Sequence, residues 1–511
     1  MSMPGLAAGV ATVAFAAACI AFVAQPTLAS FADDSVSYLV MAQVFSPWHG
    51  ASVPVAEAFA REGFYPPLFP ILLGLAGAAH DIARSYAAGA LLLAACLPLV
   101  YRLGRRWLES PWAAAIAAGV VALLPALWIQ AKGILSEPLF CLLLLGLFCV
   151  LDRPSRWPML LLMAGLALTR TVGLAVLAGY AAWALTQWPL PPAERLRLLI
   201  PVLAGFAAYG AWLLVRPADV ADENTRLLRE HAQAFRLADA GAMLATQARS
   251  IAEAWVGSLM LFWVEGAPAR VLLAGAVGVL AAAGLAMRFF AAKPDAWMVA
   301  AYLATYLVWP FYDQMVRFLM PVVPVLILYA FWAVGSLKPL ASRRSLAQGV
   351  LALLVASLAL PALGFMQSRR RAEGPHAAMT DWYRRPGLDE ARARAQVHVD
   401  LLDDMGEIRK RTKPGERVMW VAPAYIALLA DRRGVPAPPS GLAPDAYRRA
   451  VREAGPDAIF ISRYHPRDTI RDAAWRTASA ALTGPREVLH ERVRGGQVSA
   501  VLLRPSPEGL K

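Results

Sequence analysis

Two adjacent carboxylates, Asp33 and Asp34, stand in "FADDSVSYLVMAQ", just beyond the first apolar stretch of a 511-residue chain. A carboxylate held between apolar walls has its pKa raised toward the range of a useful general base, so this pair is a candidate to take a proton from an attacking group. The plainer reading is helix N-capping, where Asp is favoured and stabilises by about 1 kcal/mol. Two carboxylates exceed what one cap needs, and one residue can serve as both cap and base. "SVSYLVMAQVF" continues as a helix, with Tyr38, Met41 and Phe45 at roughly helical spacing.

Three more charges lie beside apolar runs, where charge is costly and marks function by default. Glu137 in "ILSEPLFCLLLL" opens one such run, and Ser136 or Glu137 before Pro138 is also an ordinary helix start. Arg170 in "LALTRTVGLAVL" has no charge near it in sequence. Buried alone it would be strongly destabilising, so it must meet a carboxylate, a phosphate or water. Arg317 in "FYDQMVRFLMPVVPVL" follows Asp313 by four residues, which allows a simple helical ion pair, while its planar fork also matches a phosphate. Arg84 and Glu265 complete this set.

The elements that must position these residues are membrane helices. The chain is 58% hydrophobic, its mean hydropathy is +0.49, and its charges gather in short clusters between long uncharged runs. This pattern implies a polytopic membrane protein and excludes an ordinary soluble domain. A net charge of +13 raises nucleic-acid binding, but the basic residues fall beside apolar spans and form no single stripe, so no nucleic-acid partner is expected. Cys19, Cys96, Cys141 and Cys149 all lie in apolar spans, which argues for packing and against a disulfide or metal framework.

Positive charge marks the cytoplasmic side. The clusters Arg102/Arg105/Arg106, Arg153/Arg156, Arg195/Arg197, Arg288/Lys293 and Lys338/Arg343/Arg344 share that side if the spans are roughly 5–25, 85–104, 111–128, 134–151, 157–170, 171–187, 197–215, 269–290, 296–312, 318–336 and 345–365. That gives about eleven transmembrane helices with the N-terminus inside. "PPLFPILLGLAGAA" at 66–79 is left over; a crossing there would move all five clusters outside, so it is expected at the interface. The first span lacks a basic n-region and a good cleavage site, and reads as a retained helix. Outer loops then cover about 26–84 and 216–268; in the second, Trp255 and Trp263 suit an interfacial element.

Residues 1–365 thus form a membrane domain, and 366–511 a soluble α/β domain on the outer side. Short strands are expected in the second at "RVMWVA", "AIFIS" and "SAVLLR". It carries no glycine-rich phosphate loop. A secondary transporter also places charge in spans, but paired half-chain similarity and unwound glycine-rich segments are missing here. A transporter or flippase of a lipid-linked or anionic substrate is the alternative class, and a sensor a third.

In order and spacing, "DDSVSY", "YPPLFP", "AR", "GRR", "SEP", "LTRTVG" and "RFLMPVVP" over about residues 5–365 resemble the GT-C superfamily of membrane glycosyltransferases. Within it, the chain is similar to the group of protein O-mannosyltransferases and lipid A aminoarabinose transferases. The resemblance implies a sugar donor linked to polyprenyl phosphate, an acceptor in the cell envelope on the outer side, and a multi-pass location in a bacterial-type inner membrane. It implies that the first-loop acid is the base: Asp34 has Tyr38 at the family's spacing, and Asp33 is the second choice. Tyr65 to Leu68 match the family's "YPPL", so Tyr38, Tyr65, Glu137, Arg170 and Arg317 are the expected substrate-binding set, the arginines on the lipid phosphate. No cofactor is required; a divalent metal on Asp33, Asp34 and Glu137 stays open. The sugar and the acceptor are not legible.

Overall fold

Long runs of Ala, Leu, Val and Phe can satisfy every backbone hydrogen bond without water only as helices. In the computed structural model each of the eleven expected spans falls on a helix or a bent helix pair. It describes residues 2–24, 32–151, 157–187, 190–217, 229, 233, 240–261, 268–309, 314–337, 343–374, 388–463, 471–506 and 508–509, excepting the side chains of 32, 33, 372, 373, 388–395, 398, 471 and 472.

Six helices are long and apolar enough to cross a bilayer: Met3–Val23, Ile82–Trp107, Pro192–Val215, Pro268–Phe290, Met315–Ser336 and Arg344–Arg371. A seventh candidate is Pro111–Leu123 with Pro125–Ala131, bent by 53° where Pro125 interrupts the backbone ladder. Glu137–Phe148, Trp157–Thr169, Gly173–Leu185 and Pro294–Tyr306 have only 12 or 13 residues each. Such helices reach about 20 Å, short of a hydrocarbon core of about 30 Å. Helix length and composition alone therefore account for six or seven crossings, not eleven.

The segment Met315–Ser336 runs through the centre and is almost wholly buried. Pro321 and Pro324 remove two amide donors, and a 3-10 turn at Met320–Val322 takes up the break. Small residues let helices meet: a Cβ on Gly284 would stand 2.3 Å from the carbonyl oxygen of Tyr329, and one on Gly179 2.6 Å from that of Trp297.

The segment expected from sequence to form the first outer loop has three short helices, Ala32–Phe45, Val53–Glu62 and Leu68–Leu75. The last has 8 residues, about 12 Å of helix, which is too short to cross. In the second outer segment the helix Ala240–Met260 buries its C-terminal end against the bundle, with Trp255 Nε1 donating to the Ala274 carbonyl at 2.8 Å. Trp255 is thus a packing residue and not an interfacial anchor; Trp263 lies outside the described residues. Arg288, read from sequence as a loose topology charge, is buried in a two-pronged ion pair with Asp295, both contacts 2.8 Å.

The helix begun at Arg344 continues to Glu373, past the expected boundary. Beyond it, the helix Leu388–Arg411 leads into a five-stranded sheet of β1 (Arg417–Trp420), β2 (Arg433–Pro436), β3 (Ala458–Ser462), β4 (Arg486–Arg494) and β5 (Gln497–Pro505). The order is β2-β1-β3-β5-β4, with β2, β1 and β3 parallel and the β4–β5 hairpin antiparallel. Alternation along the strands divides the sheet's two faces. Met419, Ile459, Ile461 and Leu503 join Tyr447 and Val451 of the helix Pro444–Ala454. Val418, Trp420, Phe460 and Leu502 face the other way and share one continuous apolar core with the membrane domain.

Candidate active site

The site lies where the first outer segment meets the broken ends of three apolar helices. Asp34 is the third residue of Ala32–Phe45. Its carboxylate accepts a hydrogen bond from the Tyr65 hydroxyl at 2.5 Å and forms an ion pair with the Arg317 guanidinium. The Asp34 side chain thus reaches across 283 residues of sequence to Arg317. Asp33 shares the helix backbone, and its side chain lies outside the described residues.

Glu137 is the first residue of Glu137–Phe148 and is fully buried. It too does more than start a helix. Its Oε1 is shared by Arg317 and by Arg170, the latter at 2.6 Å, while Oε2 is buried with no hydrogen-bond partner among the described residues. Arg170 stands in the turn between Trp157–Thr169 and Gly173–Leu185, so its predicted need for a carboxylate is met by Glu137. Arg170 also donates to Ser136 Oγ at 3.2 Å, and Ser136 Oγ is 2.8 Å from the Tyr38 hydroxyl. Arg317, in Met315–Leu319, gives a further bond to Gln314 Oε1 at 3.2 Å; the expected ion partner Asp313 lies outside the described residues.

These contacts bring Asp34, Tyr38, Tyr65, Glu137, Arg170 and Arg317 together from five separate stretches of sequence. Side-chain exposure rises from 0% at Glu137 through 7% at Arg317 and 14% at Arg170 to 23% at Asp34. Glu137 is the floor and Asp34 the rim. The Phe318 ring lies below both guanidinium groups, 5.8 Å from Arg170 and 5.9 Å from Arg317, and stacks on Tyr306 at 5.3 Å. The sequence reading missed Ser136, Gln314, Tyr306 and Phe318. Ser136 and Phe318 had a signal, being next to Glu137 and Arg317. Arg84 does not join the site; it pairs with Asp81, which caps the helix Ile82–Trp107.

The electrostatics reverse one expectation. Burial pushes the Asp34 carboxyl up, but the Arg317 charge and the Tyr65 hydrogen bond outweigh burial and hold it below the ordinary 3.8. Tyr65 moves the opposite way: burial and the Asp34 charge both raise its hydroxyl well above the usual range. As it stands, Asp34 is an ionised carboxylate and a weak base. The side chain of Asp33, the third member of the cation set left open by the sequence, lies outside the described residues. Among the described residues no three acidic, His or Cys side chains cluster, and an arginine already occupies the space between Asp34 and Glu137.

The arrangement defines a class: a multi-pass helical membrane protein whose ends hold a paired acid and two convergent arginines, with an α/β domain attached. No family model and no curated protein matches the sequence. Solved structures do match its fold. The crystal structure of ArnT from Cupriavidus metallidurans bound to undecaprenyl phosphate aligns over 98% of both chains with a TM-score of 0.53 at 14% identity. The apo form of the same protein aligns over 96% of this chain and 97% of its own, with a TM-score of 0.50 at 14% identity. The chain therefore shares the fold of that protein along nearly its whole length, C-terminal domain included.

Proposed function

We propose that the protein is an integral-membrane glycosyltransferase that moves a sugar from a polyprenyl-phosphate donor to an acceptor on the outer side of the membrane. The observation that carries this reading is the convergence of Asp34, Arg317, Glu137 and Arg170 on one rim, inside a fold like that of a protein crystallised with undecaprenyl phosphate.

Arg317 and Arg170 are the anion site. Glu137 holds the two like-charged groups side by side, which they would otherwise resist. The donor's phosphate competes with Asp34 for the Arg317 fork. Once Arg317 turns to the phosphate, Asp34 loses the cation that kept it a weak base and gains an anionic neighbour, and both changes raise its proton affinity. Asp34 then takes the proton of the acceptor hydroxyl or amine as that atom bonds to the anomeric carbon. The bond from the anomeric carbon to the phosphate oxygen breaks, and its electrons leave with the lipid phosphate, stabilised by the two arginines. Tyr65 orients Asp34, and Tyr38 acts through Ser136 on Arg170. No step requires a metal, and membrane lipid surrounds the donor's chain.

The test uses purified protein in lipid nanodiscs with polyprenyl-phosphate sugars. Arg170→Lys and Arg317→Lys keep the charge but lose the fork, so each should weaken donor binding by about tenfold, roughly 1.4 kcal/mol. Lysine variants that bind donor like the parent, at both positions, would remove the phosphate assignment. Movement of the intact lipid-linked sugar without transfer would favour the flippase alternative.

A further inference from the structure

The C-terminal domain touches the first outer segment directly. Arg61 of Val53–Glu62 donates to the Gly434 carbonyl of β2 at 2.9 Å, and Glu57 pairs with Arg433 at 3.1 Å. Val55 and Ala58 on the same helix share an apolar core with Ala424, Tyr425 and Ile426 of the domain. The end of the gripped helix then reaches the site. Ser37 Oγ donates to Glu62 Oε2 at 2.5 Å, and Ser37 is one helical turn on from Asp34. The next residue, Tyr38, is bonded to Ser136 in the membrane domain.

We propose that the C-terminal domain is a positioning element of the active site, with Glu62 as the positioning residue that fixes Ser37 and hence the helix carrying Asp34. The helix Ala32–Phe45 is thereby pinned from two sides, by Ser136 below through Tyr38 and by Glu62 above through Ser37. A carboxylate displaced by about 1 Å loses roughly a hundredfold in rate. The domain therefore contributes to transfer without touching donor or acceptor. This inference rests on the reading of Asp34 as base, but its physical part is measurable without any sugar.

The experiment uses the full chain in nanodiscs and has three arms. Hydrogen exchange at the amides of 34–45 should speed up in Glu62→Ala, in Ser37→Ala and in the interface pair Arg61→Ala/Arg433→Ala, one from each side, while exchange in Val323–Ser336 stays as in the parent. Transfer by Glu62→Ala should fall about ten- to a hundredfold in kcat; affinity for undecaprenyl phosphate should hold, because Arg170 and Arg317 are untouched. Glu62→Gln, which keeps an acceptor oxygen, should restore most of the rate. Ser37→Ala and Glu62→Ala combined should cost less than the sum of the two, because both remove the same bond. Unchanged exchange in all variants overturns the proposal, as does additive loss or failure of glutamine to rescue. If the parent transfers no sugar at all, the glycosyltransferase reading fails and the exchange arm alone decides the clamp.

Discussion

At the residue scale, the outcome turns on Asp34 and its partner. From sequence, two carboxylates beside apolar runs read as a base with a raised pKa. The folded chain gives Asp34 an arginine, and the sign reverses. A carboxyl depressed below its unfolded value contributes stability at every pH above that value and loses it as pH falls through the folded value. The acid limb of kcat/KM, which reports free enzyme, should therefore show no Asp34 step above about pH 4. In Arg317→Gln the step should move upward, because burial then acts unopposed. A pH profile of parent and variant measures both. Asp34→Asn should reduce transfer by about a hundredfold to ten-thousandfold. It should also destabilise by about 1 to 3 kcal/mol, since among the described residues Arg317 then keeps Glu137 alone as a charged partner. Asp33→Asn should cost less; an equal or larger loss of transfer by Asp33→Asn would move the base to that position.

At the element scale, helix ends do the positioning. Glu137, Arg170 and Arg317 each stand where an apolar helix begins or breaks, and all three helices are short or interrupted. Regular hydropathy made those runs visible, but it reads a broken helix and a full crossing alike; hence eleven spans by sequence and six or seven by length. The strands show the same limit. β1, β3 and β5 were legible as buried apolar runs, whereas β2, with its Gly and Pro, and the exposed, charged β4 were not. A second buried charge group ties four helices together elsewhere. Arg288 lies 4.1 Å over Trp107, Trp107 stacks on Tyr329 at 5.6 Å, and the Tyr329 hydroxyl donates to Asp295 at 2.7 Å. Asp295→Ala leaves Arg288 buried and unpaired and should cost about 3 to 5 kcal/mol. Tyr329→Phe, which removes one bond, should cost about 1 kcal/mol. Thermal unfolding in detergent ranks the two, and the reverse order would deny the pair its structural role.

At the scale of the whole molecule, the layout predicts one side for everything that acts. Reporter fusions after residues 82 and 400 should both read periplasmic; a cytoplasmic signal at either would break the topology drawn from the basic clusters. The sequence by itself determined the class of this protein, because 58% hydrophobic composition in long uncharged runs admits only membrane helices. It also singled out Asp34, Glu137, Arg170 and Arg317, because a charge beside an apolar run is costly wherever the chain goes. What it left open was which charge meets which. Arg317 had Asp313 at helical spacing as its nearest sequence partner, yet the structure gives it Asp34 and Glu137, from 283 and 180 residues away. Pairing across such separations is set by how the helices pack, and packing depends on shape and on close contacts such as Gly284 against Tyr329 that no local pattern records. Tertiary structure alone therefore decided that the candidate base rests as an arginine-bound carboxylate. It also decided that a domain contacting Arg61 from 373 residues further along the chain lies against Val53–Glu62, the helix bonded through Glu62 to the one that holds Asp34.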